Sequence, residues 1–273
     1  MGALLALSSA LCYGLVDFTG GMLSRRVHLA AVTLLGQLGG LLLAVAAALL
    51  VPAHSLSPAD LCWGGLSGVG SGAAMLLLNR GLSRGAMSVV VPVSAVTSVA
   101  LSVVCGVLVL GDRPALLAWT GIATAVPALW LVSGGGPGAP RGRGAADGLL
   151  ASAGVAVQYL ALAQAGPSSG LWPVAAGRLA AVAVLLPAGV RRPRVPPVRG
   201  ARALLIGVGA ALALILYLLA TRLQVLAVAV VLASLYPVLP VAMGLVVLHE
   251  RVTRRQVAGL LGAAVATVLL TLG

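Results

Sequence analysis

The chain has 273 residues, 60% hydrophobic and only 8% charged, with mean hydropathy +1.13 and a formal net charge of +12. Soluble globular chains carry about a quarter charged residues, so this composition excludes a soluble domain and points to an all-α membrane protein. The 17 Lys+Arg positions are all arginine, as in proteins from GC-rich bacterial genomes; they lie scattered in short loops with few aromatic neighbours, which excludes nucleic acid as a partner.

A span needs about 20 apolar residues to cross the hydrocarbon layer, and open strands would leave backbone groups unpaired there. Continuous apolar runs predict ten transmembrane helices at about 2–23, 30–51, 61–79, 86–110, 115–133, 147–166, 169–190, 203–221, 225–248 and 254–272. The first run lacks a positive flank and is long enough to span, so it reads as a helix rather than a signal peptide. The stretch SGGGPGAPRGRGAAD, Ser133 to Asp147, reads as a flexible linker. It divides the chain into a first five-helix unit (1–133), a linker (134–146) and a second five-helix unit (147–273).

The two units repeat each other. LVLGDR ends at Arg113 and VVLHER at Arg251, so Asp112 matches Glu250; the same offset pairs Arg84 with Arg222, Gly106 with Gly244 and Gly121 with Gly259. A unit with an odd number of spans enters the membrane the other way up when repeated, giving two inverted five-helix repeats, an architecture of secondary transporters. Alternate loops collect Arg25, Arg26, Arg80, Arg84, Arg141, Arg143, Arg191, Arg192, Arg194, Arg199, Arg202, Arg251, Arg254 and Arg255 on one face, against Arg113 and Arg222 on the other. The positive-inside rule then places the linker in the cytoplasm and both termini outside a cell membrane.

Trp63, Trp119, Trp130 and Trp172 fall near span ends as interfacial anchors, whereas Tyr13, Tyr159, Tyr217 and Tyr236 fall inside spans. Gly64, Gly68 and Gly72, with Gly36 and Gly40 in the second span, form small-residue stripes suited to close helix packing. Cys12, Cys62 and Cys105 share no metal-ligand spacing and read as small packing residues. No metal or cofactor is implied. Prolines interrupt spans at Pro92, Pro127, Pro173, Pro187, Pro237 and Pro240; Pro92, and Pro237 and Pro240 just after Tyr236, are candidate hinges or gates.

Of five acidic residues, only Asp17 falls deep in a span, at a cost of about 2.5–3.5 kcal/mol on insertion scales. Arg178 is the one deep cation. Gly36-Gln37-Leu38 aligns with Gly177-Arg178-Leu179, and the same offset places Asp17 on Gln158. Each half therefore carries two polar groups at matching depths, as a midplane binding site between repeats would. These four either pair with one another and hold the bundle together, or bind a solute, Arg178 an anionic part and Asp17 a cationic part or a proton. The four tyrosines offer hydroxyl groups and flat surfaces to the same solute.

The ten-span plan, the turns LVLGDR and VVLHER, the segment CYGLVDFTGG followed by SRR, and LLLNRGLSRGAMSVVVPVSA resemble the drug/metabolite transporter superfamily, specifically its ten-helix EamA-type members. In that pattern His249 replaces the usual glycine before Glu250, and Asp112 stands where glutamate is commoner. The resemblance implies a carrier that moves small solutes by alternating access, often outward; it does not carry a substrate over.

The leading reading is a secondary-active exporter of a small polar metabolite with Asp17 coupling protons, its partners being that solute and membrane lipid. The chain has no GxxxxGK[ST] to bind nucleotide. A lipid flippase or a non-transporting membrane subunit is the alternative. An intramembrane serine hydrolase would use Ser67 in Gly65-Leu66-Ser67-Gly68, but His28, His54 and His249 fall in loops or at helix ends, away from the place of a base.

Overall fold

The computed structural model describes residues 1–110, 113, 115–133, 143–190, 195–223, 232–233 and 235–272. Those residues form ten α-helices and no strands: α1 Gly2–Ser24, α2 Leu29–Leu50, α3 Pro58–Arg84, α4 Met87–Cys105, α5 Leu116–Ser133, α6 Arg143–Ala163, α7 Trp172–Val190, α8 Pro197–Leu223, α9 Val238–Val246 and α10 Arg254–Leu272. Nine are long and apolar enough to cross a membrane; the described part of α9 is too short to count.

Hydrophobic runs located the helices, and polar chemistry set their ends. Ser57 Oγ accepts from the Ala59 N–H at 3.2 Å, with Pro58 opening α3 and Asp60 in its first turn. Thr253 and Gln256 form a capping box at α10: the Gln256 side chain accepts from the Thr253 N–H at 2.9 Å, and the Gln256 N–H donates to Thr253 Oγ1 at 3.3 Å. Ala86 precedes α4 without a side chain able to cap it; the cap comes from the other half of the chain.

Three boundaries depart from the hydrophobicity pattern. Helix α3 runs on past residue 79 to Arg84, because Arg80 and Arg84 at its end reach Asp147. Helix α6 starts at Arg143, a turn before the expected 147, which places Asp147 inside the helix. The α-helical part of α4 stops at Cys105 and passes into a π-helical turn, Gly106–Leu110. Among the prolines, Pro92, Pro127 and Pro187 lie inside helices. Pro173 does not interrupt a span: it is the second residue of α7, where no N–H partner is lost. Pro237 and Pro240 likewise sit at the start of α9 rather than within it, and Tyr236 lies in the turn before them, not in a helix. The rest of the expected ninth span, 225–231 and 234, lies outside the described residues, as do Asp112, most of the linker, and the side chain of Arg222.

The two halves interlock rather than forming separate lobes. The most extensive packing is between α3 and α6, α5 and α10, α3 and α7, α1 and α8, and α2 and α8, each pair taking one helix from either side of the linker. Missing side chains allow this. A Cβ on Gly68 would overlap the Gly177 backbone, one on Gly207 the Gly36 backbone, and one on Gly39 the Leu204 backbone. Glycine seams thus join α3 to α7 and α2 to α8 at van der Waals distance, the closeness that stabilises helix pairs where lipid gives no hydrophobic drive.

Candidate functional site

Between the halves lies a cavity of about 360 Å³. All eight residues expected to form a site line it: Asp17 and Tyr13 from α1, Gln37 from α2, Gln158 and Tyr159 from α6, Arg178 from α7, Tyr217 from α8, and Tyr236 from the turn before α9.

One stretch of α2, GQLGG (36–40), positions the arginine. Gly207 of α8 packs on the Gly36 backbone, and Gln37 Oε1 accepts a 2.8 Å hydrogen bond from Arg178 Nη1. Gly40 leaves room for the arginine stem: a Cβ there would meet Cδ and Nε of Arg178 at 3.3 Å. Arg178 is 7% exposed and its hydrogen-bond partner is a neutral amide; among the described residues no carboxylate pairs with it.

Asp17 is 8% exposed, and no hydrogen bond or ion pair engages its carboxylate among the described residues. The two deep charges therefore share a cavity without pairing with each other. Tyr13, Tyr159 and Tyr236 stand within electrostatic range of Asp17, and Tyr13 and Tyr159 also within range of Arg178, so these two phenols lie near both charges. The Tyr13 and Tyr236 rings are 6.1 Å apart and tilted by 58°, within the centroid range of interacting aromatic pairs.

Sequence reasoning missed the hydroxyl band of this cavity: Ser94, Ser98 and Ser102 on α4 and Thr267 and Thr271 on α10. Their signal was a four-residue spacing that puts them on one helix face. It was masked because Ser98, Ser102 and Thr267 bond to carbonyls of their own helix, as such residues do in any apolar helix.

The cavity is asymmetric. Ser102 and Thr271 lie near the ends of α4 and α10, on the face that holds the chain termini. Toward the linker face it meets a plug of Phe18, Leu82, Met87, Val90 and Val91, with Leu78 and Tyr236 packed on it; Leu82, Met87 and Val90 are fully buried. Beyond the plug, Glu250 accepts from the Met87 and Ser88 N–H groups at 2.8 and 3.0 Å, supplying the cap that Ala86 lacks and a negative charge at the positive end of α4. Beside it Arg80 Nε donates to Asp147 at 2.8 Å, Arg84 lies 3.7 Å from the same carboxylate, and Arg25 donates to the Leu82 and Gly85 carbonyls. His249, before Glu250, has φ +54°, a conformation that suits glycine. On the terminal face Asp60 accepts from the Gly166 N–H at 2.8 Å and from the Ser169 hydroxyl.

Ser67, singled out as a possible nucleophile, is buried in α3 beside the Gly64 and Gly68 contacts with α7, and the described backbone places His28, His54 and His249 at helix ends or in loops.

No curated protein is significantly similar to the chain. A solved structure titled "Crystal structure of protein" shares the fold with a TM-score of 0.62 at 19% identity, over 98% of each chain. Residues 1–134 match the model of the EamA-like transporter family. Its apolar helices make the chain a multi-pass membrane protein, and over residues 1–134 it is similar to the EamA-like transporter family of the drug/metabolite transporter superfamily.

Proposed function

We propose that this protein is a secondary-active carrier that exports a small polar solute by alternating access, with Asp17 as its proton-coupling group. The reading includes two inverted five-helix repeats and a cell membrane crossed with the linker in the cytoplasm and the termini outside. The observation that carries it is the cavity itself, which holds two unpaired opposite charges at mid-bundle, reaches toward one face, and is closed on the other by contacts between halves. Opening the linker face requires that Glu250 leave the α4 terminus, that Asp147 part from Arg80 and Arg84, and that the plug of Phe18, Leu82, Met87, Val90 and Val91 separate. On this reading the cavity faces outward, and the arginine-rich face is sealed.

The packing supports the repeat. Exchanging the halves turns the α3–α6 pair into α8–α1 and the α3–α7 pair into α8–α2, and maps α2–α7 and α5–α10 onto themselves; all are observed pairs. The seams follow suit, Gly68 on Gly177 in one and Gly207 on Gly36 in the other.

A test begins with thermal-shift screening of the purified protein against polar metabolites across pH, then follows a stabilising compound into proteoliposomes under an imposed pH gradient. Wild type is expected to move it in response to the gradient, and Asp17→Asn to lose that response while remaining folded. An Asp17→Asn protein transporting at the same rate with the same pH profile would make the carboxylate structural.

A further inference from the structure

Resting on the carrier reading above, we infer that the solute is a zwitterion, its cationic end seated against Asp17 among the tyrosines and its anionic end on Arg178. The argument is one of charge balance inside the bundle. A carboxylate and a guanidinium, each more than nine-tenths buried, line one cavity. Burying charges is costly unless they are paired, yet no ion pair joins these two, and among the described residues Arg178 has only an uncharged hydrogen-bond partner and Asp17 has none. A solute carrying one charge satisfies one group and leaves the other exposed to the same low dielectric. A solute carrying both satisfies the pair.

The walls select further. Tyr13, Tyr159 and Tyr236 line the same cavity as Asp17, and phenol faces attract an ammonium or other cation by their quadrupole. Arg178 offers the remaining N–H groups of its planar fork to a carboxylate or similar acid, with the neutral Gln158 also on the wall. Val16, Ala74, Met75, Leu78, Val99 and Val155 also line the cavity, which leaves room for an apolar body beside the charges.

The test is a binding series. Purified wild-type protein is titrated by thermal shift and calorimetry with free α-amino acids, longer ω-amino acids and dipeptides. The best binder is then compared with its methyl ester, which lacks the acid, and its N-acetyl form, which lacks the cation. Each derivative is expected to bind at least about tenfold more weakly. The penalties should separate by site: Asp17→Asn should bind the N-acetyl form and the parent about equally, and Arg178→Gln should do the same for the methyl ester. Asp17→Glu and Arg178→Lys serve where a neutral variant fails to fold. The proposal is overturned if no zwitterion in the series binds, if a singly charged derivative binds as well as the parent, or if the penalties are unchanged in the variants. A zwitterion that binds with these penalties but does not cross a proteoliposome bilayer would uphold the site and refute the carrier.

Discussion

Two glycines three residues apart on α3 should respond in opposite ways to the same substitution. At Gly65 an added Cβ meets nothing within 4 Å; at Gly68 it meets the Gly177 Cα at 2.5 Å and lies closer still to that residue's carbonyl. Ordinary contact begins near 3.4 Å, and the Gly177 carbonyl oxygen lies at 1.8 Å, so Gly68→Ala forces α3 and α7 apart by about 1.5 Å. A gap of that size forfeits about half or more of the dispersion energy of each atom pair along the seam, and strain of this kind costs about 1–3 kcal/mol. Both substitutions gain about 1 kcal/mol of helix propensity. Gly65→Ala measures that term alone, so the difference between the variants isolates the seam. We expect Gly65→Ala to melt at or above wild type and Gly68→Ala several degrees below it, at about 2–4 °C per kcal/mol, in detergent followed by tryptophan fluorescence. If Gly68→Ala melts as high as Gly65→Ala, the α3–α7 backbones are not in contact and the cavity walls lie elsewhere.

Glu250→Ala leaves two α4 N–H groups without their acceptor, and should destabilise the protein by about 2 kcal/mol; with Cys12, Cys62 and Cys105 replaced, a Met87→Cys reporter should then react faster with maleimide than in the Glu250 parent, and equal rates would remove Glu250 from the seal. His249→Gly relieves a left-handed backbone at φ +54° and should raise stability by up to about 1 kcal/mol in the same melting assay, the left-handed strain exceeding the entropy cost of glycine. Asp147→Ala removes the acceptor of Arg80, but that arginine side chain is 37% exposed and its charge is screened, so the loss should be only about 1 kcal/mol, smaller than that of Glu250→Ala.

What the sequence made legible was what apolarity and rarity reveal. Uninterrupted hydrophobic runs located the helices because lipid leaves the backbone no other choice, and the cost of a buried charge picked out Asp17 and Arg178 before any geometry was known. Partnerships were not legible. Nothing local links Glu250 to the Met87 and Ser88 amides, or Asp60 to Ser169; these contacts exist only because the halves interlock. Helix α3 outran its apolar run for the same reason, since its last turn is held by Asp147 of the other half. A direct Asp17–Arg178 pair, one structural alternative, is absent; Arg178 pairs with Gln37, the other partner that alternative allowed.

The packing seam and the polar site are one feature. In each half a glycine whose backbone touches a glycine of a foreign helix is followed by the polar residue of the midplane: Gly36, against Gly207, by Gln37, and Gly177, against Gly68, by Arg178. Close approach of α8 to α2 and of α3 to α7 fixes the height at which these side chains project, and the hydrogen bond between them ties α2 to α7. With Gln37 turned toward Arg178, the guanidinium is held by a neutral group and keeps its charge. Had an acid stood at position 37, the arginine would be neutralised within the protein and the cavity would carry only the charge of Asp17. An amide there holds the cation in place and leaves it unspent, which is the condition for a buried arginine to bind something that comes and goes.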